Sequence, residues 1–340
     1  MKIAVIGSGV SGLSAAWLLA PHHEVVLLEK DSRLGGHAHT VMVTDQEKKE
    51  IPVDTGFMVV NPLRYPNLVQ LFKHLNIESI PTSMSFAVSI DGGAFEFNSN
   101  MPNGIFADRS NILNVSFYEF LIEINRFNVT ARECLKEGVS PHQTLWEWLK
   151  EHKFSEDLGE KYLLPLIGSV WSTPKKLARN FPCGELLRFL DGHHLLAAVG
   201  HPQWQTVVGG SSEYVKRIAE EITNYGGIIR LKQKIKTVRR SERSVDIVFP
   251  TKTEKFDYVV FATHADDTLT LLSRPSREEK ALLSKFKYEK NEVYLHSDPS
   301  LMPRRKDAWA AWNYLGRSGW GRTTKKVCLT YDMNTLQHLK

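Results

Sequence analysis

At 340 residues the chain can bury a sizeable core and divide into two interleaved domains. Its 43 Lys and Arg against 38 Asp and Glu leave a net charge of +5, spread along the chain and too weak to mark a nucleic-acid binder. Cys134, Cys183 and Cys328 show no CxxC spacing, which excludes a dithiol motif and a cysteine-based zinc site and agrees with a reducing cytoplasm. No apolar run reaches the ~18 residues of a membrane span, and the N-terminal run, broken by glycines, is unlike a signal peptide.

The first element is a buried strand, Met1 to Ile6. It passes into Gly7, Ser8, Gly9, Val10, Ser11 and Gly12, then into a small-residue helix ending at Ala20, then into a second apolar strand, Val25 to Leu28, that ends in Glu29. Each residue type has a mechanical role in a unit that binds a dinucleotide. Gly7 permits the tight turn, Gly9 lets a pyrophosphate approach the backbone, and Gly12 lets the helix pack on the sheet. The phosphates then face the amides of the first helical turn, where the helix dipole favours negative charge. Glu29 is placed to accept hydrogen bonds from an adenosine ribose and disfavours a 2′-phosphate.

The sequence continues Glu29, Lys30, Asp31, Ser32, Arg33, Leu34, Gly35, Gly36. An acid, an arginine four residues on and then a glycine pair resembles the flavin-containing amine oxidase and phytoene desaturase superfamily. The resemblance implies an FAD-binding α/β fold, with a discontinuous Rossmann-like domain, a parallel sheet, a small antiparallel sheet and an α+β substrate domain. It also implies that the segment wraps the FAD pyrophosphate, with Lys30, Arg33, Gly35 and Gly36 among the contacts. The superfamily pattern usually carries a second arginine after the glycine pair, where this chain has His37. His37 and His39 fall on one face of a strand and read as ordinary residues rather than a metal pair.

Thr40 to Thr44 alternates as a strand, and a second strand ends in Asp54, Thr55, Gly56, Phe57. That turn resembles the superfamily segment that places backbone amides beside the flavin; taken alone it is an Asp-capped turn. Pro66 to Asn76 carries Leu68, Leu71, Phe72 and Leu75 at helical spacing. Two alternating runs from Ile80 to Phe97 flank Asp91, Gly92, Gly93 and predict a hairpin. Residues 105–200 are mostly helical and aromatic, with Phe117, Tyr118, Phe120 and Phe127 on one helix and Trp146 and Trp148 on the next. Such a stripe reads as core, in an insertion able to sequester an apolar substrate.

Gly209 and Gly210 before Ser211 and Ser212 mark a helix start, with either serine as cap. In the superfamily this segment returns the chain to the FAD domain. Strands follow at Ile228–Leu231, Lys234–Val238, Val245–Phe249 and Phe256–Phe261. By the same resemblance Ile235 contacts adenine and Ala262 lies beneath the FAD. Residues 265–286 are helical and 287–333 strand-like, with Lys290 on the first of those strands, roughly where amine oxidases keep a lysine near the flavin. Gly316, Gly319 and Gly321 lack the flanking strand and helix of a second nucleotide fingerprint. The cluster Pro303, Arg304, Arg305, Lys306 reads as solvated surface, with peripheral contact to anionic lipid as the alternative.

The resemblance therefore assigns residues 1–78 and 205–268 to an FAD domain and 79–204 and 269–340 to a substrate domain. It leads to the expectation of a chain that lacks a C-terminal flavin-facing segment, which leaves flavin retention open. The reaction implied is hydride removal from a C–N or C–C bond of an apolar or amine substrate. A non-catalytic nucleotide-binding fragment and an NAD-dependent dehydrogenase stand as the alternatives.

Overall fold

The computed structural model describes residues 1–45, 47–100, 102–196, 202–317 and 328–339; Gly319 and Gly321 lie outside the described residues. The chain forms two compact units. The first comprises Met1–Met58, Gln70–Ser79 and Val207–Tyr294, the second Val59–Val69, Ile80–Thr206 and Leu295–Lys340.

The first unit is built on a four-stranded parallel sheet. Strand β1 (Lys2–Ile6) leads through helix α1 (Val10–Leu19) to strand β2 (Glu24–Leu28). Tyr258–Phe261 pairs with the other side of β1, and Ile228–Arg230 with the other side of β2. All four strands run parallel, so both faces need covering, which is why β1 and β2 read as unbroken apolar runs. Val25, Val26, Leu27 and Leu28 are fully buried, each contributing about 1.5–3 kcal/mol of apolar burial. Helix α1 buries Gly12, Leu13 and Ala16. Beside it lies helix Ser212–Asn224, whose Tyr214, Val215, Ile218 and Ile222 form one apolar stripe.

A hairpin of β3 (Thr40–Thr44) and β4 (Glu50–Asp54) and a three-stranded antiparallel sheet, Thr237–Arg240, Val245–Val248 and Thr253–Phe256, complete the strands of this unit. The single strand expected from Phe256 to Phe261 is two. Asp257 breaks it: its carboxylate accepts from the Lys2 amide at 2.7 Å, and its own amide donates to the Lys2 carbonyl at 2.8 Å. The chain there leaves the antiparallel sheet and enters the parallel one.

The second unit carries a four-stranded mixed sheet, ordered Cys328–Tyr331, Trp312–Gly316, Phe86–Ile90, Phe95–Asn98. The expected hairpin joins its last two strands, with Asp91, Gly92 and Gly93 all at positive φ. Helices fill residues 115–192, the longest being Val115–Glu137. Phe117, Phe120, Phe127 and Trp148 are buried in the core, as an aromatic stripe at helical spacing predicts, whereas Tyr118 is exposed.

Three local expectations are corrected. Residues 287–311 contain no strand; the segment is irregular and mostly exposed, interrupted by 3-10 turns at Pro299–Leu301 and Lys306–Ala308. Lys290 is thus an exposed residue on a loop, not on a strand. His37 and His39 sit in the turn before β3 rather than on a strand, because Gly35 and Gly36 at positive φ turn the chain there.

Ser211 caps helix Ser212–Asn224 without a side-chain cap bond, because its hydroxyl is drawn to Asp54. The Asp54 Oδ1 atom accepts from the Ser211 hydroxyl at 2.7 Å, the Ser211 amide at 2.9 Å and the Thr40 hydroxyl at 2.6 Å. The buried carboxylate thereby joins the β3–β4 hairpin to a helix 157 residues away in sequence. Replacing Asp54 by alanine strands these donors, and we expect a loss on the order of 3 kcal/mol and a thermal midpoint about 5–10 °C lower, read by circular dichroism. An unchanged melt would refute this role.

Candidate functional site

The turn between β1 and α1 is set by steric exclusion. A Cβ on Gly7, whose φ is +99°, would lie 2.6 Å from the Ala262 carbonyl oxygen, and one on Gly12 would lie 1.8 Å from the Gly7 oxygen. A Cβ on Gly9 would meet nothing within 4 Å. Gly7 and Gly12 are therefore glycines because protein fills the space beside them, whereas Gly9 faces open space. Gly9 is the N-cap of α1, with no side-chain cap bond and no acid in the first turn. The exposed Val10 and Ser11 follow, so the helix start presents amides and the positive end of its dipole to an anion. An open cradle of this kind fits a pyrophosphate.

Glu29 stands beside the turn, buried. Its Oε2 accepts from the Ser8 amide at 2.8 Å and the Ser8 hydroxyl at 2.5 Å, and its Oε1 from the Asp31 amide at 2.9 Å. Burial raises the carboxyl's pKa, but the Ser8 hydroxyl and the surrounding amides outweigh it and hold the group below the usual carboxylate range. Ile235 comes to the same edge: the amides of Lys232 and Gln233 donate to the carbonyls of Asp31 and Glu29, and Ile235 follows two residues later, half-buried ahead of its strand, which begins at Thr237.

The glycine pair is folded back onto the cradle. The Gly35 amide donates to the Ser8 carbonyl, and a Cβ on Gly36 would lie 3.1 Å from Gly9 Cα. Arg33 fastens this turn from within, donating to the carbonyls of Gly36 at 2.8 Å, Leu34 at 3.2 Å and Ala38 at 3.4 Å. Lys30 is exposed and pairs with Asp267 at 3.3 Å. The His37 ring stacks on His264 at 5.9 Å, and His264 on Tyr288 at 4.0 Å.

Asp54 is committed to Ser211 and Thr40, and the amides of Thr55 and Phe57 to the carbonyls of His39 and His37. Gly56 is a glycine because a Cβ would meet the His37 oxygen at 2.1 Å. Ala262, whose amide donates to the Ile6 carbonyl, packs under the glycine turn. The structure thus gathers Gly7 to Gly12, Glu29, Arg33 to His37, Ile235 and Ala262 into one region. It ties Asp54 to Phe57 to that region through His37, and leaves Lys290 apart on its loop. His264, Asp266 and Asp267 bring potential ligand atoms within 4.8 Å of one another, on an exposed surface where such groups are ordinary.

In the second unit a separate cluster escaped the sequence. His193 stacks on Phe189 at 4.1 Å and on Trp204 at 6.2 Å, and meets Tyr65 edge-on at 6.4 Å. Its Nδ1 lies 2.9 Å from the Phe189 carbonyl, which can only accept. Nδ1 is therefore the donor in that contact. Four residues before Tyr65, Asn61 is fully buried with an amide Nδ2 that has no partner among the described residues. Two surface recesses of this unit, of about 590 and 250 Å³, contain none of the residues expected in the site.

With this geometry in view, a family model described as flavin containing amine oxidoreductase matches residues 10–335, and the chain belongs to that family. It is 34% identical over 103 residues to the flavin-containing amine oxidase A of Equus caballus, covering 29% of this chain and 19% of that protein. It is 27% identical over 208 residues to the 15-cis-phytoene desaturase of Synechococcus elongatus, covering 56% of this chain and 42% of that one. Among solved structures, a putrescine oxidase aligns with a TM-score of 0.62 at 16% identity, over 83% of this chain and 62% of that chain, a likeness of fold. The chain spans less than two thirds of the length of each of these proteins. No described helix is long and apolar enough to cross a membrane.

The lowered Glu29 pKa has a signed consequence. A carboxyl depressed on folding stabilises the fold above its unfolded pKa and loses that contribution as pH falls through its folded pKa. We expect Glu29→Gln to cost on the order of 2 kcal/mol at neutral pH, with the difference from wild type shrinking as pH drops below the ordinary carboxylate range. Denaturant melts at several pH values measure it; a pH-independent difference would contradict it.

Proposed function

We propose that this chain binds FAD through its first unit and acts as an oxidoreductase that removes hydride from a C–N or C–C bond of an apolar or amine substrate. The observation that carries the reading is the open Gly9 cradle at the uncapped start of α1, beside the buried acid Glu29. In this reading the amides that follow Gly9 hold the pyrophosphate, and Glu29 orients the adenosine ribose. Gly35, Gly36 and His37 flank the phosphates, and Ile235 borders the adenine. Arg33 serves by fixing the glycine pair rather than by reaching the phosphate, as its three carbonyl contacts suggest. Asp54 to Phe57 carry the chain toward the flavin ring, with Ala262 beneath the cofactor.

The bound flavin supplies a hydride acceptor. Protein residues supply the rest: orientation of the nucleotide, exclusion of water and recognition of the substrate. The second unit is assigned the substrate role for its helical, aromatic insertion. Lys290, exposed on its loop, is not assigned a catalytic role.

Two glycine variants separate the nucleotide site from fold integrity. Gly9→Ala is expected to melt like wild type, because its Cβ meets nothing, yet to weaken FAD binding at least about tenfold, read by quenching of flavin fluorescence. Gly12→Ala is expected to lower the melting temperature outright. Equal FAD affinity in Gly9→Ala and wild type would discard the cradle. For the reaction itself, the FAD-loaded chain is mixed anaerobically with primary amines and with acyl or isoprenoid lipids. Bleaching of the flavin band by one class identifies the substrate type, and no bleaching by any of them counts against hydride transfer.

A further inference from the structure

A second surface has a construction that the oxidoreductase reading does not use. In the second unit, a 3-10 turn at Arg109–Leu113 leads into the long helix Val115–Glu137. Leu113 at the tip is 91% exposed, with Val115 at 72% and Ile122 at 68%, and Ile112 and Tyr118 are also exposed. On the helix, residues 115, 118, 122 and 129 recur at i, i+3, i+7 and i+14, one stripe. It lies opposite the stripe of Phe117, Phe120, Phe127 and Ala131 that enters the core. The first half of the helix is thus apolar on two faces and only one is buried, which ordinary surface composition does not require, while Arg126, Glu133 and Lys136 make the exposed face polar further on.

The tip is held, not frayed. The Asp108 carboxylate accepts from the Ser110 amide and hydroxyl, and the Tyr118 hydroxyl donates to the Ile112 carbonyl at 3.0 Å. The same ion pairs that anchor the turn bring a basic segment to it: Arg109 to Asp307 at 3.0 Å and Arg305 to Asp108 at 2.6 Å. Arg305 also reaches the buried Glu96. Asp108, Asp307 and Glu96 are taken up in those pairs, and Glu119 sits at the edge of the stripe. Arg304 and Lys306 are exposed and form no ion pair among the described residues. At about 2 Å rise per residue, the four steps from Arg109 to Leu113 span about 8 Å, the depth to which an interfacial segment sinks below the headgroups.

We propose that this tip and stripe form a membrane-docking surface, in which Ile112, Leu113, Val115 and Ile122 enter the acyl boundary of an anionic leaflet while Arg304 and Lys306 meet its headgroups. Charge selects this occupant over a second copy of the chain. A two-fold contact through the patch would bring the same basic groups together, whereas an anionic leaflet complements them. The tip needs no rearrangement to dock, since its apolar side chains already face outward.

The test is flotation of the chain with vesicles of phosphatidylcholine alone or enriched in phosphatidylglycerol, at low and high salt, beside sedimentation velocity without lipid. Wild type is expected to float with the anionic vesicles and to lose most of that binding in high salt. The double variant Leu113→Asp, Ile122→Asp should bind at least about tenfold less, and Arg304→Glu, Lys306→Glu should lose the preference for anionic lipid. Both variants should melt like wild type, because none of these four side chains enters the core. Equal flotation of wild type and the Leu113→Asp, Ile122→Asp variant overturns the proposal. So does absence of flotation by wild type, or a wild-type dimer that the same variant dissociates, which would make the patch a self-association surface.

Discussion

The first unit depends on one close approach. The turn after β1 brings Gly7, Gly12 and Ala262 together so tightly that neither glycine tolerates a side chain. Two consequences follow from that crowding. Helix α1 lies against β1 and the neighbouring strand Tyr258–Phe261, and the axis of α1 is fixed with its N-terminus just beyond the end of the sheet. A parallel sheet buried on both faces offers its ligand-accepting edge at the carboxyl ends of its strands, and here that edge is where the backbone is bare. The crowding also explains why Gly9 can be open: its neighbours carry the packing, so Gly9 is left to face outward.

A second tier of contacts holds the surrounding loops. Arg33 acts as an internal clasp on the glycine pair, Glu29 grips Ser8, and Asp54 grips Ser211 and Thr40. Each is a charged group spent on the protein's own backbone or hydroxyls within a buried or half-buried setting. Charge-assisted bonds of this kind are short and stiff. The result is a cradle whose walls are fixed before any ligand arrives, which limits the ordering that binding must bring about.

Much of this was legible because its causes are local. A strand, a glycine turn, a helix and an acid at the end of the next strand sit within thirty residues, and each responds to its own side chains. Phe117, Phe120 and Phe127 of helix Val115–Glu137 fell in the core for the same reason, by period, whereas Tyr118 from the same stripe did not. What could not be read depended on partners far along the chain. Ser211 takes the N-cap position that the sequence marks, but its hydroxyl goes to Asp54, far along the chain, and not to the helix amides. The carbonyls of Leu34, Gly36 and Ala38 that Arg33 meets in its own turn are likewise announced by no spacing in the sequence. Tyr65 meets His193 from more than a hundred residues away in sequence, and no spacing rule announces the pair. The alternating residues around Lys290 satisfy a strand pattern, yet the segment pairs with no sheet, since alternation specifies a face and not a neighbour.

The bare start of α1 also couples ligand binding to stability. A helix that begins without a capping side chain leaves its first amides without an intrahelical partner. Anything anionic that settles on those amides adds to the folded state alone, and stability then rises with the logarithm of its concentration. Any ligand that fills the cradle would therefore also protect the chain against unfolding.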